Sequence, residues 1–410
     1  MGNREDKRLA DVYKQLDCNS LPQFSELVES KTAELGITDY QMSKILGITK
    51  NTFYRTLKRI SEGDIQSLDY FTIVKISQLF NIDVTELTNI YVGSLSPEHI
   101  GEIERARKAY YILNTFDLKG LKDQGFIEST TDLDSVERRI VSFFHLDTIF
   151  DYSYEVGQVM FSKLQKSNDK MRDFWVRSSI FQFEKINNIN DYDRDSLMDL
   201  VQNIRPYTRY EEKGLITVIK ALYNAGVTVI VQPSVVKAKV RGATFVVNGK
   251  PCIAITDFND NYATLWFALM HEIFHVLFDF NHLRSLKYHV TEDGADDNLL
   301  MKEADADLFA REILFPQEYM NYIKHLINAP MAVSQYAQEK RVHPSIIYSF
   351  FCFQKKQNEG KNLYGVFQKH FGKTEVAIKM VKSNPFDKES IFQEIENIKK
   401  HLLASVENSN

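Results

Sequence analysis

Cysteine is scarce. The 410 residues hold three, Cys18, Cys252 and Cys352, far apart and with no C-x-x-C pair. That argues against a disulfide framework and against a thiolate zinc site, and leaves reduced thiols as the expectation. A charge-free apolar run long enough for a bilayer is also missing. The greasiest stretch, YATLWFALMHEIFHVLF, carries His271, Glu272 and His275 near its middle, groups that are costly in lipid. The opening MGNREDKRLADVYK has no apolar segment of the kind a signal peptide needs, and Asp6 stands where a myristoylation signal has Ser or Thr. A cytoplasmic protein with no membrane partner is expected. A strong excess of one charge is absent too. The net charge of -5 argues against nucleic acid binding over the whole surface, while a local basic patch stays open. Internal repeats and low-complexity tracts are lacking, which excludes solenoid architectures.

What remains is an ordinary globular composition, 44% hydrophobic and 26% charged, in a chain long enough for two or three domains. The fold class expected is α+β, mostly helical. Residues 22–92 read as a compact helical unit of short amphipathic segments, closed by the linker GSLSP. Residues 98–210 read as a helical linking and supporting region, almost free of proline, with stripes such as VERRIVSFFHLDTIF. In 211–330 the pattern changes: GVTVIVQPSVV, ATFVV and PCIAI are rich in β-branched residues, and Asn248-Gly249 between the last two is a strong hairpin signal. A small sheet is therefore expected before the His271 helix, with a second helix over about Leu299 to Leu314. Residues 331–410 read as helical again. Ile391, Ile395, Ile398 and Leu402 form a stripe that suits docking rather than chemistry.

The polar groups inside the greasy helix have a chemical explanation. Residues four apart on an α-helix are offset by about 40° around the axis and about 6 Å along it. His271 and His275 therefore offer two imidazole nitrogens to one point, and Glu272 lies close enough to hold a water without being a ligand. Two satisfied core histidines would look the same at this level. A hydrolytic zinc site, however, keeps three protein ligands and one open position, and KEADADLFAREILFP supplies a second i, i+4 pair, Glu303 and Asp307. Glu303 completes the ligand set. Asp307 accepts the outer N–H of a ligating histidine, expected to be His271. Asp305 points about 160° away from that face and is the weaker candidate. Zn²⁺ is the expected ion, with Mn²⁺ as the alternative.

A second signal lies in ITDYQMSKILGITKNTFYRTLKRI. One helix is expected from Asp39 to Leu46, with Gly47 at the turn and Thr49 capping a second helix over about Lys50 to Ile60. Ser43 marks a close crossing, and Ile45, Leu46, Ile48, Phe53 and Leu57 are the expected packing residues. Five basic residues (Lys44, Lys50, Arg55, Lys58, Arg59) face one acid, Asp39. This is a helix-turn-helix pattern whose second helix enters the major groove. Asn51, Thr52, Tyr54 and Arg55 are placed near base edges, and Lys50, Lys58 and Arg59 near phosphates. A protein-binding helical module with a solvated basic face is the alternative.

These motifs carry two resemblances. H-E-x-x-H at His271, followed by Glu303, Ala306, Asp307, Phe309, Ala310, Leu314 and Pro316, resembles the ImmA/IrrE family of zinc metallopeptidases over roughly residues 215 to 330. The unit at 22–92, with its trailing helix TIVKISQLFNIDVTEL, resembles the XRE (lambda-repressor-like) helix-turn-helix family. It departs from that pattern at Asp39, where the family has a DNA-contacting glutamine, and in a longer loop, SEGDIQSLDY. The combination is similar to regulators of the HigA kind. The resemblance implies a zincin-like core, Glu272 as general base, and cleavage of a repressor or antitoxin-like protein. A substrate strand is expected to add against Pro251 to Thr256, and Tyr262, Tyr288 and His289 are in sequence range for oxyanion stabilisation without any being assigned. Paired half-sites imply a homodimer on DNA. MAVSQYAQEKRVHPSIIYSFF, a helix, a V-H-P turn and a helix, is read as a structural or substrate-positioning element rather than a DNA contact. The alternatives to a peptidase are a non-proteolytic DNA-binding regulator or antitoxin that uses the fold as scaffold or sensor, and a phage-defence component.

Overall fold

The structure, a computed structural model, describes residues 23–49, 51–52, 55, 68–94, 97–154, 170–235, 240–257, 260–286, 288–292, 303–387 and 391–403. It is mostly helical with one small sheet, and the chain divides into two compact units, 1–110 and 111–410.

In the first unit, local hydrogen bonds set the helix limits. After α1 (Phe24–Glu34), Thr38 opens α2 (Asp39–Leu46) with a reciprocal cap: Gln41 N–H donates to Thr38 Oγ1 at 3.3 Å and Thr38 N–H to Gln41 Oε1 at 2.8 Å. Gly47 ends α2 in the left-handed conformation, φ +70°. Asp69 caps α3 (Tyr70–Phe80) and Asp83 caps α4 (Val84–Gly93). Phe24, Met42, Leu46, Ile73, Ile76, Leu87 and Ile90 form the core. Ser43 is buried, as a close crossing requires. Ile45 is not a packing residue: it is 49% exposed, because it sits about 100° from the centre of the face shared by Met42, Ser43 and Leu46. Phe53 and Leu57 lie outside the described residues.

The second unit joins residues 111–210, 211–330 and 331–410 into one continuous core running from Ile112 to Leu402, while 98–110, expected with the helical linking region, fall in the first unit. The sheet has the order β1-β3-β2-β4, with β1 Thr228–Gln232, β2 Val240–Val247, β3 Lys250–Thr256 and β4 Tyr288–Glu292. Asn248 and Gly249 both have positive φ, 52° and 78°, the requirement of a tight hairpin matching the strand twist. They set the antiparallel register Val247↔Lys250 to Gly242↔Ile255. The crossover from β1 makes β3 parallel to it. β3 is thus paired on both sides, and the expected addition of a substrate strand along Pro251 to Thr256 is ruled out by geometry. The outer strands are β1 and β4. Residues 381–383 already bond to Val231 of β1.

Helices cover the sheet. Helix α5 (Leu133–Phe144) buries Val136, Ile140, Phe143 and Phe144. Helix α6 (Lys170–Ile186) is tied to β1 by a buried amide pair, Gln182 Nε2 donating to Gln232 Oε1 at 2.6 Å, so two polar groups enter the core without loss of hydrogen bonding. Among the helices that follow are α7 (Gly214–Asn224), α8 (Tyr262–Phe278), α9 (Glu303–Leu314), α10 (Pro344–Glu359) and α11 (Ile391–Leu403). The stripe Ile391, Ile395, Ile398 and Leu402 is buried, and α11 docks with it on α6 and α7. Among the described residues, no helix is long and apolar enough to cross a membrane.

Candidate metal centre

Helix α8 begins at Asn261, whose Oδ1 accepts from the N–H groups of Ala263 and Thr264. From there it runs through the core with nearly every side chain buried. Helix α9 lies against it, and the stripe facing inward is Ala306, Ala310 and Leu314, all fully buried. The two alanines let the backbones approach closely. Glu303 and Asp307, on the same side of α9, then reach the polar face of α8.

The result is a triangle of three donors. His271 Nε2 is 3.3 Å from His275 Nε2 and 3.1 Å from a Glu303 oxygen, and His275 Nε2 is 3.6 Å from the other Glu303 oxygen. Ligands of a tetrahedral zinc at about 2.1 Å stand about 3.4 Å apart, so the observed spacings bracket that value. Among the described residues, His271, His275 and Glu303 form the one group of three or more able to hold a metal. Asp307 Oδ1 is 2.9 Å from His271 Nδ1, the contact expected from the spacing. The corresponding partner of His275 is Asp279, 3.0 Å from its Nδ1. Sequence reading assigned Asp279 no role, although its i+4 distance from His275 was the available signal. These outer carboxylates orient the rings and leave each Nε2 turned toward the other two donors.

Four carboxylates thus surround two imidazoles that are only 3% and 1% exposed. Burial works to lower the pKa of His271, but bonds to Asp307 and Glu303 and the charge of Glu272 outweigh it and raise the value to about 10. The cluster calls for positive charge, and a proton or a divalent cation can supply it.

Glu272 is buried against the sheet. Its Oε2 accepts from Thr244 Oγ1 on β2 at 2.7 Å, while Oε1 has no hydrogen-bond partner in the protein. An unpartnered buried carboxylate oxygen is costly, and here it belongs to the residue beside the first histidine. The room for it comes from Gly242, where a Cβ would stand 2.7 Å from Oε1. The nitrogen and oxygen donor set, the near-tetrahedral spacing and this spare oxygen fit a divalent metal with a water beside it. Neither Thr244 nor Gly242 was singled out from the sequence, because their approach depends on strand register.

The remaining candidates are placed as follows. Tyr262 is fully buried and its hydroxyl donates to Thr208 O at 2.8 Å, so it is a structural group. Tyr288 and His289 lie in β4, opposite Phe245 and Thr244. Asp305 is exposed and outside the triangle. In the first unit, Thr49 Oγ1 accepts from Thr52 N–H at 3.1 Å, and Asn51 and Arg55 are exposed and helical. Lys50, Tyr54, Lys58 and Arg59 lie outside the described residues. Searches with the whole chain found no matching family model, no matching curated protein and no matching solved structure.

Proposed function

We propose that the chain is a zinc-dependent endopeptidase of the ImmA/IrrE type joined to an XRE-type helix-turn-helix, a regulator that cleaves a repressor or antitoxin-like protein. The observation that carries this reading is the triangle of His271, His275 and Glu303, with Glu272, the residue after His271, keeping an unpartnered Oε1. Bound zinc supplies Lewis-acid polarisation of a peptide carbonyl and an acidified water. Thr244 holds one oxygen of Glu272, which leaves Oε1 to take the proton of the attacking water and return it to the departing amine. Asp307 and Asp279 hold the two imidazoles in orientation through their Nδ1 atoms. Strand β4 stands next to β2, which carries Gly242 and Thr244. β4 is the sheet edge on that side, where an extended substrate would add.

For the first unit, the cap at Thr38, the left-handed turn at Gly47, the cap at Thr49 and exposed Asn51 and Arg55 support a DNA-reading helix. Arg55→Ala should weaken duplex binding and flatten its salt dependence by about one charge, measured by fluorescence anisotropy.

The second reading is a DNA-binding regulator whose metal centre senses or stabilises. The observation favouring it is burial: His271, Glu272 and His275 are all nearly inaccessible. Comparison of protein N-termini in cells expressing the parent or Glu272→Gln separates the two. New N-termini that vanish with the variant support proteolysis. An unchanged set, with metal retained and regulation intact, leaves the sensor.

A further inference from the structure

The helix Pro97–Thr115, 19 residues long, joins the core of the second unit near its end. Ile112 is fully buried there, and the Tyr111 ring meets Phe150 edge-on at 5.3 Å. Residues 101–106, by contrast, are exposed without exception, over about one and a half turns. A helix so exposed should be polar all round. This one is not. Ile103, Ala106, Tyr110 and Leu113 recur at intervals of three, four and three, and all four are exposed, Ile103 by 41%, Tyr110 by 72% and Leu113 by 55%. An apolar repeat averaging about 3.5 residues is the seam along which two helices wind round each other. Tyr110 lies about 160° around the axis from Ile112, so it faces away from the core that Ile112 enters. Single exposed apolar residues need no explanation. Four along one line do.

The charges beside the seam select the partner. With Ile103 and Tyr110 on the a positions and Ala106 and Leu113 on d, Glu102 falls on g and Arg107 on e, the two edges of the seam. In a parallel pair of this helix, g of one copy faces e of the next heptad in the other. Glu102 then meets Arg107 of the second copy, twice by symmetry. In an antiparallel pair g faces g, and Glu102 meets no basic residue. Glu104 and Lys108, on the outer positions b and f, pair within the helix instead, at 3.6 Å.

We propose that the exposed seam of Ile103, Ala106, Tyr110 and Leu113 docks a second copy of the same helix, parallel and in register, and so makes the protein a dimer. The pairing depends on neither the peptidase reading nor the DNA-binding one. It does set both copies of the first unit at one end of the pair, as paired half-sites on a duplex require. Two heptads bury little area, so the dimer dissociates on dilution.

Sedimentation velocity of the full chain over a dilution series tests it. The parent should pass from dimer to monomer as it is diluted. Tyr110→Glu, at an exposed position, should leave the circular dichroism unchanged and raise the dimer dissociation constant about tenfold or more, since each copy loses a buried aromatic contact. Glu102→Arg should weaken the dimer as well, and adding Arg107→Glu should restore it, because the reversed pair is again complementary. Cys252 and Cys352 are buried, so Ala106→Cys in a Cys18→Ser background should give an interchain disulfide on mild oxidation. A parent that stays monomeric at every concentration reached overturns the proposal. So does a dimer indifferent to Tyr110→Glu, which would bury some other surface. Loss of the dimer in Tyr110→Glu with neither crosslinking nor charge rescue overturns it too, since the two helices would then not be parallel.

Discussion

Gly242→Ala puts the fit between β2 and α8 to a quantitative test. The added methyl carbon would meet Glu272 Oε1 at 2.7 Å, Cγ at 3.0 Å and Cδ at 3.1 Å. Oε1 is the end of a flexible chain, but that end is not free to swing. Oε2 is held by Thr244 at 2.7 Å, and the residue is only 1% exposed. Relief requires either breaking the bond from Thr244, worth about 1.5–3 kcal/mol for a charged acceptor, or moving strand against helix, worth about 1–3 kcal/mol for overpacking. A loss of about 2 kcal/mol in unfolding free energy follows, read from urea denaturation of the zinc-loaded protein. Zinc content should be unchanged, since the methyl group meets none of the three ligands. A double-mutant cycle isolates the cause. In a Glu272→Ala background the obstruction is gone, so Gly242→Ala should cost close to nothing. An equal cost in both backgrounds would refute the reasoning and move the effect to the strand itself.

Four further outcomes are expected. Replacing His271, His275 or Glu303 with Ala should abolish stoichiometric zinc by elemental analysis, while Asp307→Asn or Asp279→Asn should retain it with affinity lowered about 10- to 100-fold; an effect at Asp307 alone would show that the His275–Asp279 contact orients nothing. With its pKa raised to about 10, His271 is protonated at pH 7 in the metal-free protein. Zinc binding there should release about one proton, seen as a dependence of calorimetric heat on buffer ionisation enthalpy. The same shift makes the metal-free fold gain stability from this proton below about pH 6.5, the ordinary histidine value, and lose it as pH rises through about 10; a flat urea midpoint from pH 7 to 10 would contradict it. Burial pushes the thiols of Cys252 and Cys352 up, to about 12 and about 11, so neither should be alkylated at pH 8 until the chain is unfolded, and rapid native labelling of either by mass spectrometry would count against the packing.

Much of the centre was legible because its information is local. A helix repeats every 3.6 residues, so His271 with His275 and Glu303 with Asp307 announce two faces before any tertiary contact is known. The hairpin at Asn248-Gly249 and the cap at Thr49 are equally short-range. Asp279 had the right spacing, yet nothing in a linear reading distinguishes an outer carboxylate from a helix-ending aspartate. The misplacement of Ile45 has another origin: α2 buries a narrow face, and hydrophobic character alone does not say which flank is covered. β4 was missed because its five residues become a strand by pairing with β2.

The sequence by itself determined which side chains are able to bind a metal, since that follows from residue chemistry and helical period. Only the tertiary structure decided that they converge. It took Ala306 and Ala310 to bring α9 close, a parallel crossover to put β3 in the interior, and the register of β2 to set Gly242 and Thr244 against Glu272. Those are contacts between elements some thirty residues apart, and their geometry depends on packing of the whole unit rather than on any local stretch of chain.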